Sequence, residues 1–173
     1  QDHFKRSALH LASDKGLARR VRPRPGCRRP PAAGTVAKLL ALGADAALTD
    51  KNGNTALMLA CANKHDAAAA ELMEATKRTG ALDLQGDQYK RSALHMASEK
   101  GLAGTVAKLL AFGADAALTD KSGETALELA GNEEVKAAFV EHAEHSDITD
   151  DNKNGLLLLC ARLGLASRVR AVL

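Results

Sequence analysis

Residues 90–124 read KRSALHMASEKGLAGTVAKLLAFGADAALTDKSGE, and nearly all of this stretch occurs a second time in the chain. Its first part, Lys90–Ala103, repeats Lys5–Ala18 (KRSALHLASDKGLA) at an offset of 85 residues. Its second part belongs to Gly104–Ala130, which repeats Gly34–Ala60 at an offset of 70 residues. A chain with two such copies is expected to fold as a series of similar units rather than around one central core.

The two offsets differ because the segment 19–33 is present only in the first copy. A shorter unit of about 33 residues repeats within each copy, with an addition in the second unit and a loss in the fourth. Each unit is marked by a small or hydroxyl residue ahead of an apolar helix, and these residues are Ser7, Thr55, Ser92, Thr125 and Gly155. We predict a single domain over 1–173 whose five units are 1–49 with the insertion 19–33, 50–86, 87–119, 120–149 and a truncated 150–173.

Each unit has the pattern of two helices followed by an extended turn. In the third unit, apolar spacing predicts a first helix from Ala93 to about Lys100 and a second helix over Thr105–Ala111. Gly101 and Gly113 are expected to end them. Neither helix can bury its apolar face alone, so neighbouring units must stack. The predicted fold class is therefore all-α, a solenoid of helix-turn-helix units with extended turn or hairpin connections.

The motifs within these units resemble the ankyrin repeat family. The family pattern is an Asp-x-x-Gly-x-Thr turn, a Pro-Leu-His-x-Ala helix start and a Gly-Ala-Asp end. Here the turn is present at Asp50–Thr55, the helix start at Ala93–Ala97 and the end at Gly43–Asp45 and Gly113–Asp115. Ala replaces the family's Pro in every full unit, and the fourth unit lacks the Gly-Ala-Asp end.

The resemblance implies a protein-binding surface formed by the turn tips and the exposed part of the first helices, which line a concave face. We therefore expect a non-catalytic scaffold that binds a protein partner, with no cofactor, metal or small-molecule substrate. Tyr and Arg often dominate interface energetics, which favours Tyr89, Arg91, Phe4 and Arg6 as anchors. The full set of predicted binding residues is Phe4, Arg6, Lys51, Asn52, Asn54, Gln88, Tyr89, Arg91, Lys121, Ser122 and Glu124.

Two groups of polar residues could suggest catalysis or metal binding, and we predict neither function for them. Ser7 with His10 and Ser92 with His95 recur with the repeat, whereas a catalyst needs one unique constellation in a cleft. The resemblance assigns these histidines to bonds between neighbouring turns. The cluster His142, Glu144, His145 and Asp147 lacks a second metal-binding motif, so we predict a solvated linker there.

The net charge of +3 depends on one segment, 19–33, which reads RRVRPRPGCRRPPAA. Its prolines and arginines predict a flexible loop outside any core. Three interpretations are open: electrostatic binding of nucleic acid or an acidic partner, a nuclear import signal, or a translated remnant without function. The arginines concerned are Arg19, Arg20, Arg22, Arg24, Arg28 and Arg29.

The cysteines and the apolar runs of the sequence bear on the cellular compartment of the chain. Cys27, Cys61 and Cys160 are far apart, which argues against a disulfide framework and favours a reducing, intracellular environment, cytoplasmic or nuclear. No uninterrupted apolar run reaches the length of a membrane span, so we expect no membrane partner.

Overall fold

The structure, a computed structural model, describes residues 7–14 and 34–145, and within these ranges the regular secondary structure is α-helical without a strand. This confirms the predicted all-α fold class. The helices are α1 (Ala8–Asp14), α2 (Thr35–Ala41), α3 (Ala56–Ala62), α4 (Asp66–Arg78), α5 (Ala93–Glu99), α6 (Ala103–Ala111) and α7 (Glu133–His145).

The helices form two adjacent rows. The first-helix row is α1, α3 and α5, in which each helix packs on the next. The second-helix row is α2, α4, α6 and α7, packed in that order. Within a unit, the first helix packs on the second, as in α3 with α4 and α5 with α6. The units therefore lie side by side in a series, as the repeat pattern predicts.

The core lies between the two rows and is built from aliphatic side chains at helical spacing. Leu57, Met58, Leu72, Leu94 and Leu109 are fully buried in one continuous cluster. Each such side chain contributes roughly 1.5–3 kcal/mol on removal from water. Because each helix contributes to a cluster shared with neighbouring units, the burial depends on stacking rather than on any single unit.

The beginnings and ends of the helices follow from local chemistry. Thr55 Oγ1 accepts a hydrogen bond from the Met58 amide at 3.3 Å, so the threonine caps α3. Gly43 and Gly113, with φ of 82° and 94°, end α2 and α6 in the left-handed region. A predicted boundary is wrong by two residues, since α6 begins at Ala103 rather than Thr105.

Hairpin tips connect the units. Single antiparallel bridges close them at Thr49 with Thr55, at Gly86 with Arg91 and at Thr119 with Thr125. After each tip the chain continues directly into the first helix of its unit or, in the fourth unit, into a turn. These bridges are the extended connections expected between the helix pairs.

The fourth unit departs from the predicted pattern, because its first helix does not form. Ala126–Leu129 is only a turn, and α7 begins at Glu133. The chain here is three residues shorter than in the third unit, which leaves too few residues for a second helical turn. Gly131 instead approaches α5, and its amide donates to the Ser98 carbonyl at 3.4 Å.

Two other features are clarified by the helix bounds. The addition in the second unit lengthens its second helix, since α4 has 13 residues whereas α6 has 9. The linker predicted around His142 is wrong for residues 142–145, because they form the last part of α7. Burial of Val135 and Phe139 against the core explains why this segment is helical. Asp147 lies outside the described residues.

Candidate protein-binding surface

The tips of the second and fourth units are held rigid by an inward-facing aspartate. Asp50 Oδ1 accepts hydrogen bonds from the amides of Asn52 and Asn54, both at 2.9 Å. Asp120 Oδ1 accepts from the amides of Ser122 and Glu124 at 2.7 and 3.1 Å. Both aspartates are buried, so each satisfies backbone donors and adds no exposed negative charge.

The tip of the third unit has a different backbone. Asp87 and Lys90 have φ of 59° and 54°, and Lys90 stands where the second and fourth units have Gly53 and Gly123. Gly86 and Arg91 exchange two backbone hydrogen bonds of 2.9 Å, and the four residues between them form the tip. Tyr89 lies on this tip and is 46% exposed.

Neighbouring tips are bonded directly to one another. The Asp87 amide donates to the Asn52 carbonyl at 2.8 Å, and the Lys121 amide donates to the Tyr89 carbonyl at the same distance. Gly86 approaches Gly53 so closely that an added Cβ would lie 2.5 Å from the Gly53 oxygen. The three tips therefore form one connected edge, a property that no single motif in the sequence indicates.

The structure places most of the predicted tip residues at the surface. Within the described part of the chain, the exposed ones are Lys51, Asn52, Gln88, Tyr89, Lys121, Ser122 and Glu124. We call the surface formed by the non-buried residues of 50–64, 87–101 and 120–134 the tip surface. Phe4, Arg6 and the six arginines of the segment 19–33 lie outside the described residues.

Asn54 does not belong to this surface, contrary to the prediction. Its side chain is buried, with the residue only 7% exposed. Its amide donates to Asp50 and its carbonyl lies 3.0 Å from His10 Nε2, so the residue connects the tip to α1. The close packing of Gly86 against this tip also covers the Asn54 side chain.

Arg91 is only partly exposed, because it belongs to a network of side chains. Its Nη1 lies 2.5 Å from Glu99 Oε2, and its Nε lies 3.8 Å from Asp120 Oδ2. The guanidinium carbon is 4.9 Å from the centre of the Tyr89 ring, a cation–π distance. Lys100 Nζ binds the other Glu99 oxygen at 3.2 Å. The network joins the tip to the far end of α5, so the tip surface is continuous across the third unit.

Both histidines of the repeat accept a backbone hydrogen bond, and His10 also connects two backbone segments. His10 Nδ1 accepts from the Ser7 amide at 3.2 Å, so the proton is on Nε2, which donates to the Asn54 carbonyl. His95 accepts from the Ser92 amide in the same way, at 3.3 Å. Burial lowers the pKa of His95, partly opposed by the Glu124 carbonyl and the Asp120 carboxylate. The ring is therefore kept neutral, as this structural role requires.

The described residues contain no group of three or more His, Cys, Asp or Glu side chains placed to hold a metal ion. In the same ranges, no helix has the length and apolarity needed to cross a membrane. The tip surface thus offers polar side chains on a fixed backbone.

Comparison with known families agrees with this architecture. A family model described as ankyrin repeats in three copies matches residues 31–120. The chain belongs to the ankyrin repeat family. Ankyrin repeats are generally protein–protein interaction modules, and the all-α helix-turn-helix repeats of the structure are consistent with the family.

One curated ankyrin repeat relative is Ankyrin repeat and SOCS box protein 16 of Mus musculus. It is 35% identical over 130 residues, which cover 70% of this chain and 24% of the relative. The chain thus spans about a quarter of the length of this relative.

Proposed function

We propose that this ankyrin repeat chain is a non-catalytic scaffold that binds a protein partner through the tip surface. The observation that carries the proposal is the continuous edge of exposed residues at three bonded tips, Lys51–Asn52, Gln88–Tyr89 and Lys121–Ser122. The apolar faces of the helices are already used between the two rows. The tips are one part of the repeat that stacking leaves exposed to another molecule.

The chemistry around the recurring Ser–His pairs supports a structural role. The position of His95 is taken by Met58 in the second unit and by Glu128 in the fourth. Thr55 N–H donates to Met58 Sδ at 3.4 Å, and Thr125 N–H donates to Glu128 Oε2 at 2.7 Å. Since three different side chains accept the same amide bond, the position serves the turn rather than proton transfer.

The surface is suited to binding because its backbone is hydrogen-bonded within the chain itself. The bonds from Asp50 and Asp120 and the contacts between tips fix the positions of the exposed side chains. A surface fixed in advance loses less conformational entropy on association. Tyr89, held beside Arg91, provides the rigid aromatic group that interfaces often use as an anchor.

The proposal is tested by affinity capture with two variants, each carrying two substitutions to alanine. The tip variant carries Tyr89→Ala and Lys121→Ala, and the control carries Lys38→Ala and Lys108→Ala, both exposed on the second-helix row. We expect a saturable partner that binds the native chain and the control but not the tip variant. Equal capture by both variants would contradict the assignment of the surface. Circular dichroism establishes that both remain folded.

We also propose an intracellular location. Cys61 is buried in the core, and its burial, with Asp66 nearby, raises the pKa of the thiol to about 12. It is a free thiol with a packing role, which suits a reducing compartment. Fractionation of cells that express the chain tests this location, and recovery only in the secreted fraction would contradict it.

A further inference from the structure

The tip of the second unit contains an Asn-Gly pair, Asn52–Gly53. Asparagine is one of the thermolabile residues of proteins. The carbon of its side-chain amide can be attacked by the next backbone nitrogen, and a glycine at that next position has no Cβ to hinder the attack. The pair therefore has the chemistry required for spontaneous deamidation. The corresponding pair in the fourth unit, Ser122–Gly123, does not.

The other asparagines within residues 7–14 and 34–145 lack this combination. Asn54 is buried and precedes a threonine. The side chain of Asn63 donates to a carboxylate oxygen of α1 at 2.9 Å, and that of Asn132 accepts a backbone amide of α7 at 3.0 Å. Asn52 is exposed, and its hydrogen bonds are made by its backbone amide and carbonyl. Among these asparagines, deamidation is therefore favoured at Asn52.

The closed tip holds the peptide bond between Asn52 and Gly53 from both sides. The Gly53 amide donates to the Asp50 carbonyl at 3.0 Å, although it must lose its proton and turn toward the Asn52 side chain in order to attack it. The Asn52 carbonyl accepts the Asp87 amide of the neighbouring tip at 2.8 Å. Rotation of this peptide therefore breaks one bond within the second tip and one bond to the third tip.

From these contacts we infer that Asn52 is a modification site, at which spontaneous deamidation occurs only when the second and third tips separate. In the open tip, the Gly53 nitrogen bonds to Asn52 Cγ and the Cγ–Nδ2 bond breaks, so that ammonia leaves with the proton of the Gly53 amide. Water then opens the resulting succinimide ring at either carbonyl. The products are an aspartyl form and an isoaspartyl form, in which the chain continues through the former side chain. This inference does not depend on the proposed function.

The isoaspartyl form is expected to keep the two tips apart. It has an additional backbone carbon between position 52 and Gly53, and the contact with the third tip has no room for it. A Cβ added at Gly86 would already lie 2.5 Å from the Gly53 oxygen. Both products also place a new carboxylate at an exposed position of the tip surface. The reaction thus alters the edge of the array irreversibly.

The test follows the deamidation of the full chain at mildly alkaline pH, below its melting temperature. Digestion with pepsin and mass spectrometry separate the asparaginyl, aspartyl and isoaspartyl forms. The native chain is compared with Gly86→Ala, which overpacks the contact between the tips, and with a synthetic peptide of residues 47–57. Asn52→Ser reproduces Ser122 of the fourth unit and identifies signals that do not come from Asn52.

Two controls keep the result specific to the tip. Asn154–Gly155 is a second Asn-Gly pair in the sequence, and its deamidation is measured in the same digests. If Gly86→Ala does not fold, Asp50→Ala takes its place, because it removes the acceptor of two tip amides. Melting curves show which variant is folded.

We expect Asn52 of the native chain to react at least roughly tenfold more slowly than the peptide, because the tip must open first. Gly86→Ala should react roughly tenfold faster than the native chain, because a strained contact opens more often. Deamidation at Asn154 should be the same in both proteins.

Three results would overturn the inference. A native chain that reacts as fast as the peptide would show that the closed tip does not protect Asn52. Equal rates in the native chain and the variant, or no product from either, would show that the contact between the tips does not control the reaction. Equal acceleration at Asn52 and Asn154 in the variant would attribute the effect to unfolding of the whole array.

Discussion

At the scale of single residues, Gly86 has the most demanding position in the array. A side chain there would collide with the backbone of the neighbouring tip, since an added Cβ lies 2.5 Å from the Gly53 oxygen. We expect Gly86→Ala to reduce the free energy of unfolding by about 1–3 kcal/mol, the usual cost of overpacking. Urea denaturation followed by circular dichroism measures this change.

Gly104 provides the control for that substitution. It lies within α6, and an added Cβ there has nothing within 4 Å. Gly104→Ala should therefore increase stability by about 0.5–1 kcal/mol through the better helix propensity of alanine. If Gly86→Ala were as harmless as Gly104→Ala, the contact between the second and third tips would not be as close as described.

The buried His95 and the half-buried His142 make stability depend on pH. Burial lowers the pKa of His95 and His142 below the ordinary value of 6.5, so the unfolded chain binds more protons near that pH. Stability is therefore expected to fall as the pH is lowered through 6.5 and to level off below the folded-state values. Melting temperatures between pH 7.5 and 5.5 measure the fall.

A variant isolates the contribution of His95. His95→Gln retains a group that can accept the Ser92 amide bond but does not titrate. We expect this variant to be less stable than the native chain at pH 7.5 and to lose less stability on acidification. A native chain whose melting temperature stayed constant or rose toward pH 5.5 would contradict the assignment of neutral buried histidines.

At the scale of secondary-structure elements, the sequence predicted the helix pairs because their apolar spacing and glycine ends repeat almost verbatim. The sequence could not show which helix of a unit changes when the length of the unit changes. The three residues lost in the fourth unit remove its first helix, whereas the addition in the second unit lengthens α4. Whether a helix forms here depends on which apolar side chains are buried against neighbouring units, in this case Val135 and Phe139 of α7. The sequence of the unit itself does not show which side chains these will be.

The exposure of the tip residues likewise could not be predicted from the sequence of one unit. Asn54, Arg91 and Glu124 occupy equivalent positions, yet Asn54 is buried, Arg91 is half-buried and Glu124 is exposed. Their exposure depends on the neighbouring tip: Gly86 covers Asn54, and Glu99 and Asp120 hold Arg91. These are contacts between units or across a helix, so the pattern of one unit could not indicate them.

The insertion 19–33 can be removed at a defined junction. Its deletion joins Ala18 to Gly34, which reproduces the uninterrupted Ala103–Gly104 of the third unit. Since the entropy of loop closure depends weakly on length, we expect the free energy of unfolding to stay the same or rise by about 1 kcal/mol. A control with the 15 residues replaced by Gly and Ser separates length from composition. A clear loss of stability on deletion would show that the insertion packs on the array.

The same two variants distinguish the three interpretations of the insertion. Retention of RNA or DNA that decreases with salt and disappears in both variants would support electrostatic binding by the arginines. Loss of nuclear accumulation in both would support an import signal. Unchanged behaviour in every assay would support a remnant without function.

At the scale of the whole molecule, Cys61 reports on the opening of the array. The thiol lies in the shared core and its pKa is raised to about 12, so a reagent reaches the thiolate only when the rows separate. With Cys27→Ser and Cys160→Ser, labelling at pH 8 should be at least about a hundredfold slower than in strong denaturant. Labelling as fast as in the unfolded chain would mean that the units around α3 are not stacked.

The turn at Ala126–Leu129 has a mechanical consequence for the array. Where the first three units are each joined through two helices, the helix contact across the fourth consists of α6 against α7 in the second-helix row. On the first-helix side the fourth unit is held by its tip and turn instead, since the Lys121 amide donates to the Tyr89 carbonyl and the Gly131 amide donates to the Ser98 carbonyl. Separating the fourth unit from the third therefore requires breaking these backbone hydrogen bonds as well as the contact of α6 with α7.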